Sequence, residues 1–331
     1  MSARFEPVVF RPLPRPLKPF PQETEASFLA RLAAANAMPI QRIQRPSHWL
    51  ASRLDPIGQL SVLSGQTRTA IEYAIPRWEP QAWNVPKGSF EATPRWACRR
   101  CVARRTGNQD QGVMIWMSKH HDQVCLPHRL WIGRAVEAPA YQFDLADLPE
   151  IVAAQRRHYR LLRRYGPHVL NTCYEQSSRF WHTLLRHGYR ISERSHRLAR
   201  LQPRPERSVR PWDPKRYAAV YPEIVKTMVL YAAPHWRSLA MSSSEDDFRA
   251  FHAEFTRRLP NERPLRTAAK PWFVHQLRVI ADTIQEAAEH PADGRTGTAL
   301  SLSAQVESDA GRENPDDVER DAGLAFPHDL R

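Results

Sequence analysis

The sequence predicts a mainly α protein: an N-terminal helix-turn-helix with a small metal-knuckle module, then an all-α helical domain, then a disordered tail. Three observations predict it. Apolar residues recur at helical spacing over 24–36 and again on both sides of Gly65. Three of the four cysteines and one histidine form Cys98-x-x-Cys101 and Cys125-x-x-His128, 23 residues apart. After Asp147 the chain reads as five helical stretches punctuated by proline and glycine.

The first 22 residues form a proline-rich extended arm, with six prolines between positions 4 and 21. Residues 23–145 form the next domain. Thr24 caps a helix whose apolar face is Ala26, Phe28, Leu29, Leu32 and Ala33, ending near Asn36. Ser47 begins a short helical stretch with Trp49, Leu50 and Leu54 inward. Two further helices follow, split by Gly65, with Thr67 as the second cap and Pro76 as its end; Leu60, Leu63, Ile71 and Ile75 make their shared core. This pattern fits a DNA-reading helix-turn-helix and an ordinary αα-corner equally well. On the first reading Gln66, Thr67, Arg68 and Thr69 stand where base edges are read.

The two knuckles have the spacing of metal ligands. A two-residue gap turns both side chains of a pair inward on a tight bend, and two such bends close a tetrahedron around one Zn²⁺. Cys98, Cys101, Cys125 and His128 fill all four positions, so the site reads as structural, with no place left for a reactive water. Trp96, Trp116 and Trp131 flank these ligands and are expected to pack a module that has little core of its own. Around them stand Arg95, Arg99, Arg100, Arg104, Arg105, Lys119, Arg129 and Arg134, a collar able to hold phosphates.

Residues 146–290 form the helical C-terminal domain, with stretches at 149–165, 167–188, 216–233, 245–258 and 271–289. Cys173 lies on a broad apolar face of the second and reads as a small core residue. Arg186 to Arg216 holds ten basic and three acidic residues with four prolines, a partly extended connector that suits phosphate tracking and solvation alike. Residues 291–331 are an acidic disordered tail.

Net charge is +13. From 293 on, nine acidic side chains face four basic ones, a net −5, so the preceding 292 residues carry +18. A body so basic attracts polyanions, nucleic acid first, although an arginine-rich composition without such a partner gives the same sum. No signal peptide or transmembrane stretch is legible, and cysteine usage suits a reducing compartment, so a cytoplasmic, nucleoid-associated protein without a membrane partner is expected. Phosphate-binding loops, the Gly-x-Gly-x-x-Gly fingerprint, the Gly-x-Ser-x-Gly elbow and His-Glu-x-x-His are all missing, and no carboxylate cluster suggests a two-metal nuclease. The expectation is a protein that is not an enzyme.

Leu13-Pro14-Arg15-Pro16, Glu23 through Asn36, Leu60-x-x-Leu63-Ser64-Gly65, Trp96-Ala97-Cys98-x-x-Cys101 and Val124-Cys125-x-x-His128 occur in that order. Over roughly 10–135 the chain resembles TniQ, the family that includes the TnsD-type target selectors of transposons. The resemblance implies a helix-turn-helix, zinc on the four residues above, and a non-catalytic adaptor. Such an adaptor recognises target DNA, directly or through an RNA-guided targeting complex, and recruits an AAA+ transposition ATPase; some members are homodimers. The chain departs from the pattern with Arg99 where many members have proline and Arg129 where many have glycine. No second cysteine pair follows in 130–141, so one zinc is expected. The alternatives are a zinc-stabilised helix-turn-helix transcriptional regulator, or another DNA-binding protein without a transposition role, and a scaffold for acidic protein partners.

Overall fold

A computed structural model describes residues 11–44, 55–76, 92–108, 110–186, 191–201, 213–258 and 271–289. It is mainly helical, and its described residues fall into two compact units. The first runs to Ile132 and includes Val136–Phe143; the second begins at Asp144 and takes in Gly133–Ala135. Among the described residues no helix is long and apolar enough to cross a membrane. The stretch expected around Ser47, Trp49 and Leu50 and the acidic tail lie outside the described residues.

In the first unit, Thr24 Oγ1 accepts from Ser27 N at 3.2 Å and starts α1, Glu25–Ala35. Phe28, Leu29, Leu32 and Ala33 are buried, whereas Ala26, expected on the same face, is exposed. After α2 (Ile40–Gln44), Asp55 caps α3 (Pro56–Ser64) and Thr67 caps α4 (Arg68–Ala74). Gly65 ends α3 at φ 67°, the left-handed conformation that lets the chain turn within three residues. Phe28, Leu32, Ile57, Leu60, Ile71 and Ile75 form one core, with Leu63 partly buried beside it.

The arm is extended, as its prolines dictate, but its residues from 11 on are docked onto that core. Leu13 N donates to Leu63 O (3.0 Å) and Leu17 N to Ser64 O (3.2 Å), while Leu13 and Leu17 pack on the helices. Asn36 fixes the same segment, accepting from Arg15 N at 2.8 Å and donating to Arg15 O at 3.0 Å.

The rest of the unit is small-stranded. Strand β1 (Ala92–Trp96) pairs antiparallel with β2 (Met114–Ser118), and α5 (Arg99–Thr106) lies between them in sequence. A two-residue hairpin, β3 (Val124–Cys125) with β4 (Leu130–Trp131), follows. The approach to α1 runs beside β2: Trp116 N donates to Gln22 O (2.7 Å) and Thr24 N to Met114 O (2.9 Å). Glu23, fully buried there, accepts from Phe20 N, from Ser27 Oγ and twice from the Arg31 guanidinium at 2.7 and 2.8 Å.

Among the described residues, the regular elements of the second unit are all helices. Pro149–Arg186 breaks at Gly166 (φ 78°, ψ 163°) into α6 (149–165) and α7 (167–186). His158 and Tyr174 lie eight residues either side of the break; in one straight helix they would stand about 24 Å apart. Their rings instead stack with centroids at 5.7 Å, so the halves fold back on each other. Then come α8 (Ser192–Leu201), α9 (Pro214–Ala232), α10 (Pro234–Met241), α11 (Glu245–Arg258) and α12 (Pro271–Glu289). Helix α9 is the centre: apart from Lys226, every residue from Ala218 to Ala232 is buried.

Two elements differ from expectation. Helix α8 falls within the supposed extended connector, most of whose remaining residues are not described. Its Arg194 and Arg197 are buried rather than solvated; Arg197 Nε donates to Ala219 O at 2.8 Å and its Nη2 pairs with buried Glu223. Helix α10 begins at Pro234, which reads as a terminator in sequence but here occupies the first turn, where its missing N–H costs nothing. Gly166 adopts a backbone region that side-chain-bearing residues avoid, so Gly166→Ala should destabilise the second unit by about 1–3 kcal/mol in denaturant melts.

Candidate metal centre

The four expected ligands come together. Cys98 precedes α5, Cys101 lies in its first turn, Cys125 ends β3, and His128 occupies the bend before β4, where Arg129 takes φ 49° to close the knuckle. Their donor atoms all lie within 4.8 Å of one another. Cys101 Sγ is 3.8 Å from Cys125 Sγ; His128 Nδ1 is 3.5, 3.2 and 3.6 Å from Cys98, Cys101 and Cys125. A tetrahedral ion with metal–sulfur bonds of about 2.3 Å and metal–nitrogen bonds of about 2.0–2.1 Å requires edges of roughly 3.8 Å between sulfurs and 3.5 Å from sulfur to nitrogen. The set therefore fits one four-coordinate metal ion through Nδ1, whereas a disulfide needs sulfurs at about 2.05 Å; all three cysteines are free.

Crowding three thiols dictates their protonation. Hydrogen bonds from Cys101 and Cys125 pull the Cys98 thiol down to about 2. Cys125 is pushed far up, first by its contacts with Cys101 and Cys98 and then by burial. For Cys101 the contact with Cys125 lowers the value, but Cys98 and burial outweigh it and leave the thiol at about 11. A cation is what allows the second and third sulfur to ionise.

Residues that sequence reasoning missed hold the bends. Buried Gln142 donates from Nε2 to Ala97 O and accepts from Arg99 N through Oε1, each at 2.8 Å, clamping both sides of Cys98. Arg95 turns inward from the basic collar and donates to Ser118, Asp122 and Ile132 carbonyls at 3.1, 2.7 and 2.6 Å. Nothing in the local pattern marks Gln142. Arg95, alternating with Trp96 on β1, looks in sequence like any surface cation. Trp131 is buried and stacks on Phe143, and Trp96 donates from Nε1 to Glu137 O at 2.6 Å, in keeping with packing roles.

The candidate contact residues are more mixed. Arg100, Arg104 and Arg105 are exposed; Arg100 also reaches His128 O at 3.0 Å and Arg105 covers the Phe20 ring. Arg99 is half-buried. On α4, Thr67 spends its hydroxyl as the cap, Gln66 is half-buried in the turn, and Thr69 is exposed. Arg68 is exposed but engaged: it forks onto Asp55 at 2.8 and 2.9 Å and onto Glu72 at 2.8 Å, which first through Asp55 raises its own pKa. The exposed face of this helix adds Tyr73, 64% exposed, which sequence reasoning passed over.

No family model, curated protein or solved structure matches this chain.

Gln142→Ala should lower the stability of the first unit by about 1–3 kcal/mol, since it strands two buried backbone groups, with metal stoichiometry unchanged at low chelator. Because metal entry expels the Cys101 and Cys125 protons, loading should rise with pH and fall on acidification, measurable by metal content after dialysis across a pH series.

Proposed function

We propose that this protein is a non-enzymatic adaptor for DNA transposition, which binds target DNA and recruits an AAA+ ATPase. In this reading the metal is one structural Zn²⁺ on Cys98, Cys101, Cys125 and His128. A three-sulfur, one-nitrogen tetrahedron suits zinc, and four protein donors leave it no catalytic position. The ion's contribution is to hold α5 and the β3–β4 bend together; the protein's own residues do the rest.

One observation carries the proposal. The segments that resemble the TniQ family are scattered over more than a hundred residues, yet they converge in a single compact unit. The arm seats on α3, α1 bonds directly to β2, and β2 pairs with the strand that leads into Cys98. Their meeting in one unit is what the resemblance requires. In that frame α3, the Gly65 turn and α4 are the helix-turn-helix, with Gln66, Thr69 and Tyr73 on the side available to bases. Arg68 serves mainly to tie the start of α4 to Asp55 at the start of α3. Arg100, Arg104 and Arg105 on α5 are the phosphate contacts of the unit.

The test is a tagged full-length chain recovered from its own cells after nuclease treatment, with partners identified by mass spectrometry. An AAA+ ATPase retained through nuclease treatment is the expected result. Loss of all partners once nucleic acid is digested, with no ATPase retained, would overturn the adaptor role and leave a DNA-binding regulator. Arg104→Ala should weaken duplex DNA binding at moderate salt and reduce the salt slope by about 1, with the fold intact.

A further inference from the structure

Helix α6 carries five arginines, Arg156, Arg157, Arg160, Arg163 and Arg164, and a single acid, Glu150, in its first turn. At 3.6 residues per turn the five fall within an arc of about 120°. The opposite face is Ile151, Ala154, Gln155, His158 and Leu161, all buried. Arg156, Arg163 and Arg164 are exposed, and Arg157 and Arg160 half-buried. Neighbours at i+3 and i+4 along this face are all of one sign, an arrangement that weakens an isolated helix.

The helix bearing this face is held firmly from behind. Tyr221 OH on α9 donates to Gln155 Oε1 at 3.0 Å, which leaves its oxygen to accept from His158 Nδ1 at 2.8 Å. The His158 ring also stacks on Tyr174 of α7. Side chains on a helix so anchored project from a fixed row about 12 Å long between Arg156 and Arg164.

We infer that this arginine face of α6 is a second nucleic-acid surface, which grips the phosphate backbone of duplex DNA. The inference rests on the DNA-binding reading above and extends it to the helical unit. Guanidinium groups are suited to phosphate because they donate in a planar fork and are weakly hydrated. A row 12 Å long spans several phosphates of one duplex strand, and backbone contacts of this kind position a protein without reading sequence. Arg164 also lies over the Tyr165 ring, 5.3 Å from its centroid, and Glu150 is the single acid of the helix itself.

The experiment replaces Arg156, Arg160, Arg163 and Arg164 with glutamine in the full-length, metal-loaded protein and measures binding to one duplex DNA across a salt series. Glutamine keeps helix propensity, and helicity and thermal midpoint confirm that the unit still folds. The expected result is a salt slope lower by about 3–4 and more than tenfold weaker binding at 0.15 M salt, equally for unrelated sequences. The same four positions changed to lysine should keep most of the slope. If the glutamine variant binds with unchanged slope and affinity, or more tightly, the inference is overturned while DNA binding by the protein stands. In the tighter case the face serves the chain's own acidic segment or an acidic protein. If the wild-type protein binds no duplex DNA, both this inference and the reading beneath it fail.

Discussion

The first unit depends on one buried ion pair. Glu23 is fully buried and Arg31 is 4% exposed, and neither charge could stay there alone. Together they satisfy each other: the carboxylate takes two guanidinium bonds, a hydroxyl and a backbone N–H, and Arg31 gives its remaining reach to Lys18 O. Such a pair adds little net stability over apolar residues of the same volume, but losing one partner costs about 3–5 kcal/mol. Its value is positional. Arg31 belongs to α1, while Glu23 sits where the chain runs beside β2 and donates its own N–H to Ala74 O at the end of α4. The pair therefore joins the helices to the β1–β2 sheet, whose first strand leads into Cys98.

That junction matters because the knuckle region cannot support itself. Its two sheets have two strands each, and isolated hairpins of that size are marginal in water. The apolar cluster beneath α5 is only Phe20, Ala97, Val102 and Val113 with Ile115 beside it. A metal ion on the four donors would supply the missing cross-links at one end, the docking of β2 on the α1 approach supplies them at the other, and Gln142 and Arg95 fill in the backbone hydrogen bonds between. Removing any one of these loads the others.

Much of this organisation was legible. The metal tetrad follows from two x₂ gaps, and the helix caps at Thr24 and Thr67 and the turn at Gly65 follow from residue chemistry at the ends of periodic stretches. The break at Gly166 was legible too, because Pro167 follows it. What sequence hid were arginines acting as internal struts. Arg31, Arg95 and Arg197 each look like surface charge until the carbonyls or carboxylate they bind, 8 to 37 residues away in the chain, are brought beside them. Helix α8 was hidden for the same reason: its buried face is written in arginine, Arg194 and Arg197, rather than in leucine alone.

These struts change what the net charge means. Arg31 and Arg197 are cancelled by buried glutamates, Arg95 is spent on carbonyls, and Arg237, buried without a carboxylate, donates to the Tyr231 and Ala232 carbonyls at the end of α9, where the helix dipole favours a cation. Arg68 on the surface is matched by Asp55 and Glu72. A count of +18 thus overstates the field available to a polyanion, and the electrostatic argument has to be made by surface rather than by sum. Made that way, it points to α5 in the first unit and α6 in the second, where exposed arginines cluster on a helix without acids among them. On the proposed adaptor reading, sequence-blind phosphate contacts would hold the duplex while a short helix such as α4, largely relieved of charge, would do the discriminating.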